Sequence, residues 1–247
     1  MKELQLENMN LCDIIFIGCD YMSYVEDKYN EGKLIIRAVD LPQLHRVNDE
    51  IKYDCAIWAN EFAMIMNNEF ESVSSTLLIP NVGVKTYKNV GFLVDSDFAG
   101  IQHIALSDSG SSGSFKDGDF RANRSDFDTL EELANYIKIN NYTTMNEVNI
   151  SIPLNSVVGL VVIKCANELK HLKSMLAVRG CLAELTGIEF NIFEYDSDSG
   201  KIKEVDLTDE FLETINSTSS VNKYDYYTDY SEEIYEGNIS VNRNHSK

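Results

Sequence analysis

From residue 144 to 164 the chain reads Thr-Met-Asn-Glu-Val-Asn-Ile-Ser-Ile-Pro-Leu-Asn-Ser-Val-Val-Gly-Leu-Val-Val-Ile-Lys, and this stretch limits the fold more than any other. Val148, Ile150 and Ile152 alternate with Asn149 and Ser151, the period-two pattern of a strand buried on one side. Pro153 has no N–H to give to a ladder and ends that strand. Residues 157–163 are then apolar apart from a glycine, which suits a strand covered on both faces. The two are expected to lie side by side. A carboxylate, Glu147, stands at the mouth of the first, where a cleft commonly opens.

The remaining segments predict further elements of both kinds. Residues 13–18 and 33–39 read as buried strands. Between them, 20–30 has helical spacing through Tyr21, Tyr24 and Val25, closed by Gly32. Pro42 opens a short helix through Leu44 and Val47. A strand over 53–58 leads to a helix over 60–68, and strands follow at 73–79, 90–94 and 101–106. The Ser/Gly-rich run 107–124 is too polar for a regular element and is expected to be a mobile loop. Leu130, Leu133, Ala134 and Ile137 mark one face of an amphipathic helix over 128–139. A helical region over 167–186, interrupted near Gly180, precedes a hairpin of 188–195 with 201–205 across Asp196 to Gly200. A last helix spans 208–215. Strands and helices without regular alternation predict an α+β fold, with mixed, mainly antiparallel sheets and flanking helices. The expected organisation is one domain over 1–216 and an acidic, Tyr-rich flexible tail over 217–247.

Charge narrows the classes of function. Among 247 residues, 40 Asp and Glu face 21 Lys and Arg, a formal charge of −19. Such a surface repels a phosphate backbone, so nonspecific nucleic-acid binding is not expected. No run of about eighteen apolar residues predicts a membrane span, and the polar start of the chain lacks a secretory core. The five cysteines (12, 19, 55, 165 and 181) are widely spaced and read as free thiols in a reducing compartment, hence a cytoplasmic location. Neither they nor the four histidines form a CxxC or HxxxH pair, so no metal site is expected.

One constellation carries a chemical expectation. Arg37, inside Leu-Ile-Ile-Arg-Ala-Val, needs an anionic partner or a bound anion if it is buried. The Ser74-Ser-Thr76 cluster can brace a strand or position a carboxylate, and Glu147 can hydrogen-bond a ribose hydroxyl and steady an oxocarbenium ion. In this order the residues resemble the ADP-ribosyltransferase superfamily: an arginine on an early strand, a Ser/Thr element on a middle one, a glutamate at the head of a later one. The resemblance covers about 33–164 and includes the short helix after "RAV" and the strand-then-helix of 54–68. It implies an ADP-ribosyltransferase-like core acting on NAD, as a toxin or effector that transfers ADP-ribose to a macromolecular acceptor, with a protein target as its expected partner. Arg37, Ser75 and Thr76 would hold the NAD and Glu147 would be catalytic. Two departures matter. Met145 stands where arginine- and asparagine-modifying members carry Glu or Gln, and Ala56-Ile-Trp-Ala59 competes for the place of the middle strand without a hydroxyl. The reading requires Arg37 and Glu147 to face one pocket.

Other motifs carry less. Asp95-Ser-Asp97 after an apolar strand resembles a metal–nucleotide motif but reads as a strand end, and Asp196-Ser-Asp198 reads as a turn. Cys165 and His171 are six apart, which does not place them on one helix face. The 107–118 loop lacks GxxxxGK[ST] and is no P-loop. Residues 231–236 are similar to the glutamate-rich export signals of some type IV secretion effectors, which would deliver the chain to a host cytosol. The competing expectation is a non-enzymatic acidic binder, an inhibitor, antitoxin or immunity factor, that blocks a basic partner surface.

Overall fold

In the computed structural model the described residues are 21–47, 50–69, 72–107, 125–165, 168–208 and 211–212. Helix α1 (Tyr21–Asn30) stops where Gly32 takes φ +72°, a conformation that costs a glycine little, and the Lys33 N–H returns to the Lys28 carbonyl. Strand β1 (Leu34–Val39) follows, then a hairpin of β2 (Gln43–Val47) and β3 (Glu50–Asp54), and helix α2 (Ala56–Met66). Next come β4 (Val73–Leu77), β5 (Val90–Asp95), β6 (Gly100–Ala105), helix α3 (Leu130–Asn140) and β7 (Glu147–Ser151). The last elements are β8 (Val157–Ile163), helix α4 (Glu168–Thr186), β9 (Ile192–Asp196) and β10 (Lys201–Glu204).

Eight strands form one sheet in the order β10-β9-β8-β5-β1-β4-β7-β6. Only β8 and β9 run parallel among its pairs, and α4 is the crossover that a parallel pair requires. The α+β expectation with mainly antiparallel pairing holds. Helices cover both faces at the β5–β9 end. Phe92 lies opposite Arg37 and Leu160 in the ladder, and its ring packs on Trp58 and Phe62 of α2 at centroid distances of 4.9 and 6.1 Å. Phe62 in turn meets Phe190, just beyond α4, edge-on at 5.5 Å. On the other face, Tyr21 of α1 packs against Phe193 at 6.2 Å and the Tyr24 hydroxyl donates to Asp95. This double cover explains why all seven residues of β8 are buried.

Four local expectations are corrected. Residues 43–47 are a strand, not a helix: Leu44 and Val47 mimic helical spacing, but Leu44 is 46% exposed and five registered pairs join β2 to β3. Strand β3 ends at Asp54, whose Oδ1 accepts the Ala56 N–H, so Trp58 belongs to α2 and gives its indole N–H to the Asp40 carbonyl. Helix α4 passes through Gly180 without a break. Strands β7 and β8 are not neighbours, because β5, β1 and β4 lie between them. The predicted strand 13–18, the tail 217–247 and nearly all of the 107–124 loop lie outside the described residues, and the predicted helix 208–215 is described only at 208 and 211–212. Among the described residues no helix is long and apolar enough to cross a membrane.

Candidate functional site

Arg37 finds its carboxylate on α2. Its Nε and Nη2 donate to Glu61 at 3.0–3.3 Å, and Nη1 donates to the Ser74 carbonyl at 3.2 Å. The fork geometry suits a two-point contact with one carboxylate, and the exposures of the two side chains, 22% and 19%, make the pair part-buried. The ladders then separate Arg37 from Glu147. Ile36 lies opposite Thr76 across β1–β4, and Ser75 lies opposite Val148 across β4–β7. Successive strand residues point to opposite faces. Arg37 therefore shares the α2 face with Ser75 and Val148, while Glu147 shares the other face with Thr76. The required common pocket is not formed. Ser75 is fully buried, and its hydroxyl gives only a 3.4 Å contact to Val73 of its own strand.

Glu147 instead belongs to a polar row that runs across three adjacent strands. Asn149 on β7 lies between Ser74 on β4 and His103 on β6. Glu147, two residues earlier on the same face, lies opposite Ala105 and, by continuation of the register, beside Thr76. Thr76, His103 and Glu147 are 1%, 4% and 5% exposed. Ser74 Oγ, Thr76 Oγ1 and both ring nitrogens of His103 are buried and make no hydrogen bond among the described residues. Buried polar groups are nearly always paired, and each one left unmatched costs about 1–3 kcal/mol. Together with Glu147 these side chains form a buried polar patch of a carboxylate, an imidazole and two hydroxyls. Ser151, next in the same row of β7, lines a cavity of about 530 Å³ with Asn68, Phe98 and Gln102.

His103 escaped the sequence reading. Nothing in Gly-Ile-Gln-His-Ile-Ala marks it, since its partners come from a strand more than forty residues later. The alternation His103, Ala105 against Ile104 was the available signal, and it needed the β6–β7 register to acquire meaning.

The lesser motifs resolve clearly. Asp95 accepts the Tyr24 hydroxyl and the Asp97 N–H, while Asp97 is bound by Lys28 and Lys33, the latter at 2.9 Å, so this is an ion-paired strand end. Asp196 Oδ1 accepts the N–H groups of Asp198 and Ser199 and shapes the β9–β10 turn, as expected. Among the described residues no three metal-ligating side chains gather. Cys55 and Cys181 are buried free thiols. Cys165 and His171 do meet, with Sγ and Nδ1 3.3 Å apart. Helical spacing did not apply to them, because Cys165 precedes the first residue of α4.

No family model and no curated protein matches this chain.

Proposed function

We propose that the protein acts by binding a basic protein partner through its acidic surface, as an inhibitor, antitoxin or immunity factor would. The observation that carries this reading is the formal charge of −19. It has a local focus at α3. Asp126, Asp128, Glu131 and Glu132 are all exposed at its start, and Tyr136 and Ile139 stand 39% and 82% exposed further along the same helix. Acidic groups steer a basic surface into place, and an apolar pair gives it something to bury. The reading gains weight because Arg37 is already neutralised by Glu61 on the face away from Glu147. The test is capture of proteins from a lysate at low salt with wild-type chain and with the double variant Glu131→Lys/Ile139→Ser. Basic proteins should be retained by the wild type, released at high salt and held less by the variant. Retention that ignores both salt and the substitutions would sink the proposal.

A second reading, NAD-dependent ADP-ribosyl transfer, is supported by Glu147, Thr76 and His103 sharing one buried face. In it Glu147 steadies the oxocarbenium ion as the nicotinamide–ribose bond breaks, and Thr76 braces the site. It gives up the common pocket with Arg37 that the resemblance called for, so Arg37 and Ser75 have no part in it. Nicotinamide release from NAD that disappears in Glu147→Gln would favour this reading over binding alone, and no release by the wild type would remove it.

A further inference from the structure

We infer that Cys165 is a nucleophilic thiol that accepts an acyl group, with His171 as its proton acceptor. The contact is direct, Sγ to Nδ1 at 3.3 Å, and both residues sit at the junction where β8 ends and α4 begins. Three observations converge on this junction. Cys165 is only partly buried, unlike Cys55 and Cys181 at 1% and 5% exposure, so an electrophile can reach it. The first N–H groups of α4 have no partners within the helix, and such groups can bind the oxyanion formed when a thiolate attacks a carbonyl. Finally, Lys170 lies close enough to His171 for its charge to act on the ring.

Burial, with the Lys170 charge adding to it, holds the His171 imidazole below its ordinary range. At neutral pH the ring is therefore uncharged. In the Nε2–H tautomer its Nδ1 is free to accept the thiol hydrogen. The step balances as follows. The thiol proton passes to Nδ1, Sγ attacks the carbonyl carbon of an activated ester or thioester, and a C–S bond forms. The bond to the leaving alcohol or thiol then breaks, and that group takes the proton from His171.

The test uses the full chain with Cys12 and Cys19 replaced by serine, so that Cys55, Cys165 and Cys181 are the thiols that remain. Treated with p-nitrophenyl acetate at neutral pH, it should release p-nitrophenolate in a burst and carry acetate on Cys165, located by mass spectrometry. Cys165→Ser should abolish the burst. His171→Gln should slow it by about 100-fold or more, the scale of a lost general base, while circular dichroism stays unchanged. Iodoacetamide labelling, followed residue by residue, supplies a second readout in which Cys165 should react first and slow in His171→Gln. A burst that survives His171→Gln at full rate, or labelling that falls first on Cys55 or Cys181, would overturn the inference. So would a folded wild type that neither acetylates nor labels at Cys165.

Discussion

Arg37 and Thr76 show how far a single residue can be read on its own. That an arginine within Leu-Ile-Ile-Arg-Ala-Val needs an anion follows from the cost of burying charge, and the sequence made that need plain. Which anion answers it does not follow, because Glu61 reaches Arg37 only once β2 and β3 have turned back and α2 has packed on Phe92. Thr76 poses the opposite case. It looked like a brace, and its hydroxyl is buried without a hydrogen bond among the described residues. Replacing a buried, unpaired hydroxyl by a methyl removes a desolvation cost and adds apolar contact. Thr76→Val should therefore leave stability unchanged or raise it by up to about 1 kcal/mol in urea denaturation. A loss larger than that would show that the hydroxyl has a partner the fold depends on.

At the scale of elements, apolar periodicity was legible and pairing was not. Strands β1, β5, β7 and β8 emerged from their own patterns, and so did the β9–β10 hairpin, whose turn chemistry lies in Asp196 to Gly200. The β2–β3 hairpin was missed because β2 lacks the alternation that burial imposes, as the exposure of Leu44 shows, although Tyr53 of β3 is buried in the core. The wrong pairing of β7 with β8 came from closeness in sequence, which a turn at Pro153 made attractive. The candidate face was partly legible: Glu147, Ser74 and Thr76 were singled out, yet their grouping with His103 exists only through two ladders. One residue closes the β4–β7 ladder. Asn146, fully buried, donates to the Leu77 carbonyl at 3.0 Å and accepts the Leu77 N–H at 2.8 Å, so its side-chain amide stands in for a strand residue. Asn146→Ala would leave both Leu77 groups unmatched and should cost about 2–4 kcal/mol in equilibrium unfolding. A cost below about 1 kcal/mol would mean that the ladder end closes without it.

For the whole molecule, the imbalance of 40 acidic over 21 basic residues outweighs its local ion pairs. Exposed pairs such as Lys88 with Asp40 and Arg179 with Glu189 contribute at most about 1 kcal/mol each. Self-repulsion acts on every acidic group and is relieved by screening. Raising salt from about 0.01 M to about 0.1 M shortens the screening length from about 30 to about 10 Å. The melting temperature should rise by a few degrees over that range, and a fall would show that the ion pairs dominate. The strand order bears also on how the chain comes to be assembled. Strand β7 enters between β4 and β6, which are complete more than forty residues before it. A ribosome that has made only about the first 140 residues thus holds two bare β-edges facing an unfilled slot, and such edges recruit other chains. The segment carrying Glu147 is the wedge that closes both at once, and premature termination just upstream of it leaves these edges, and that of β5 awaiting β8, open to other chains.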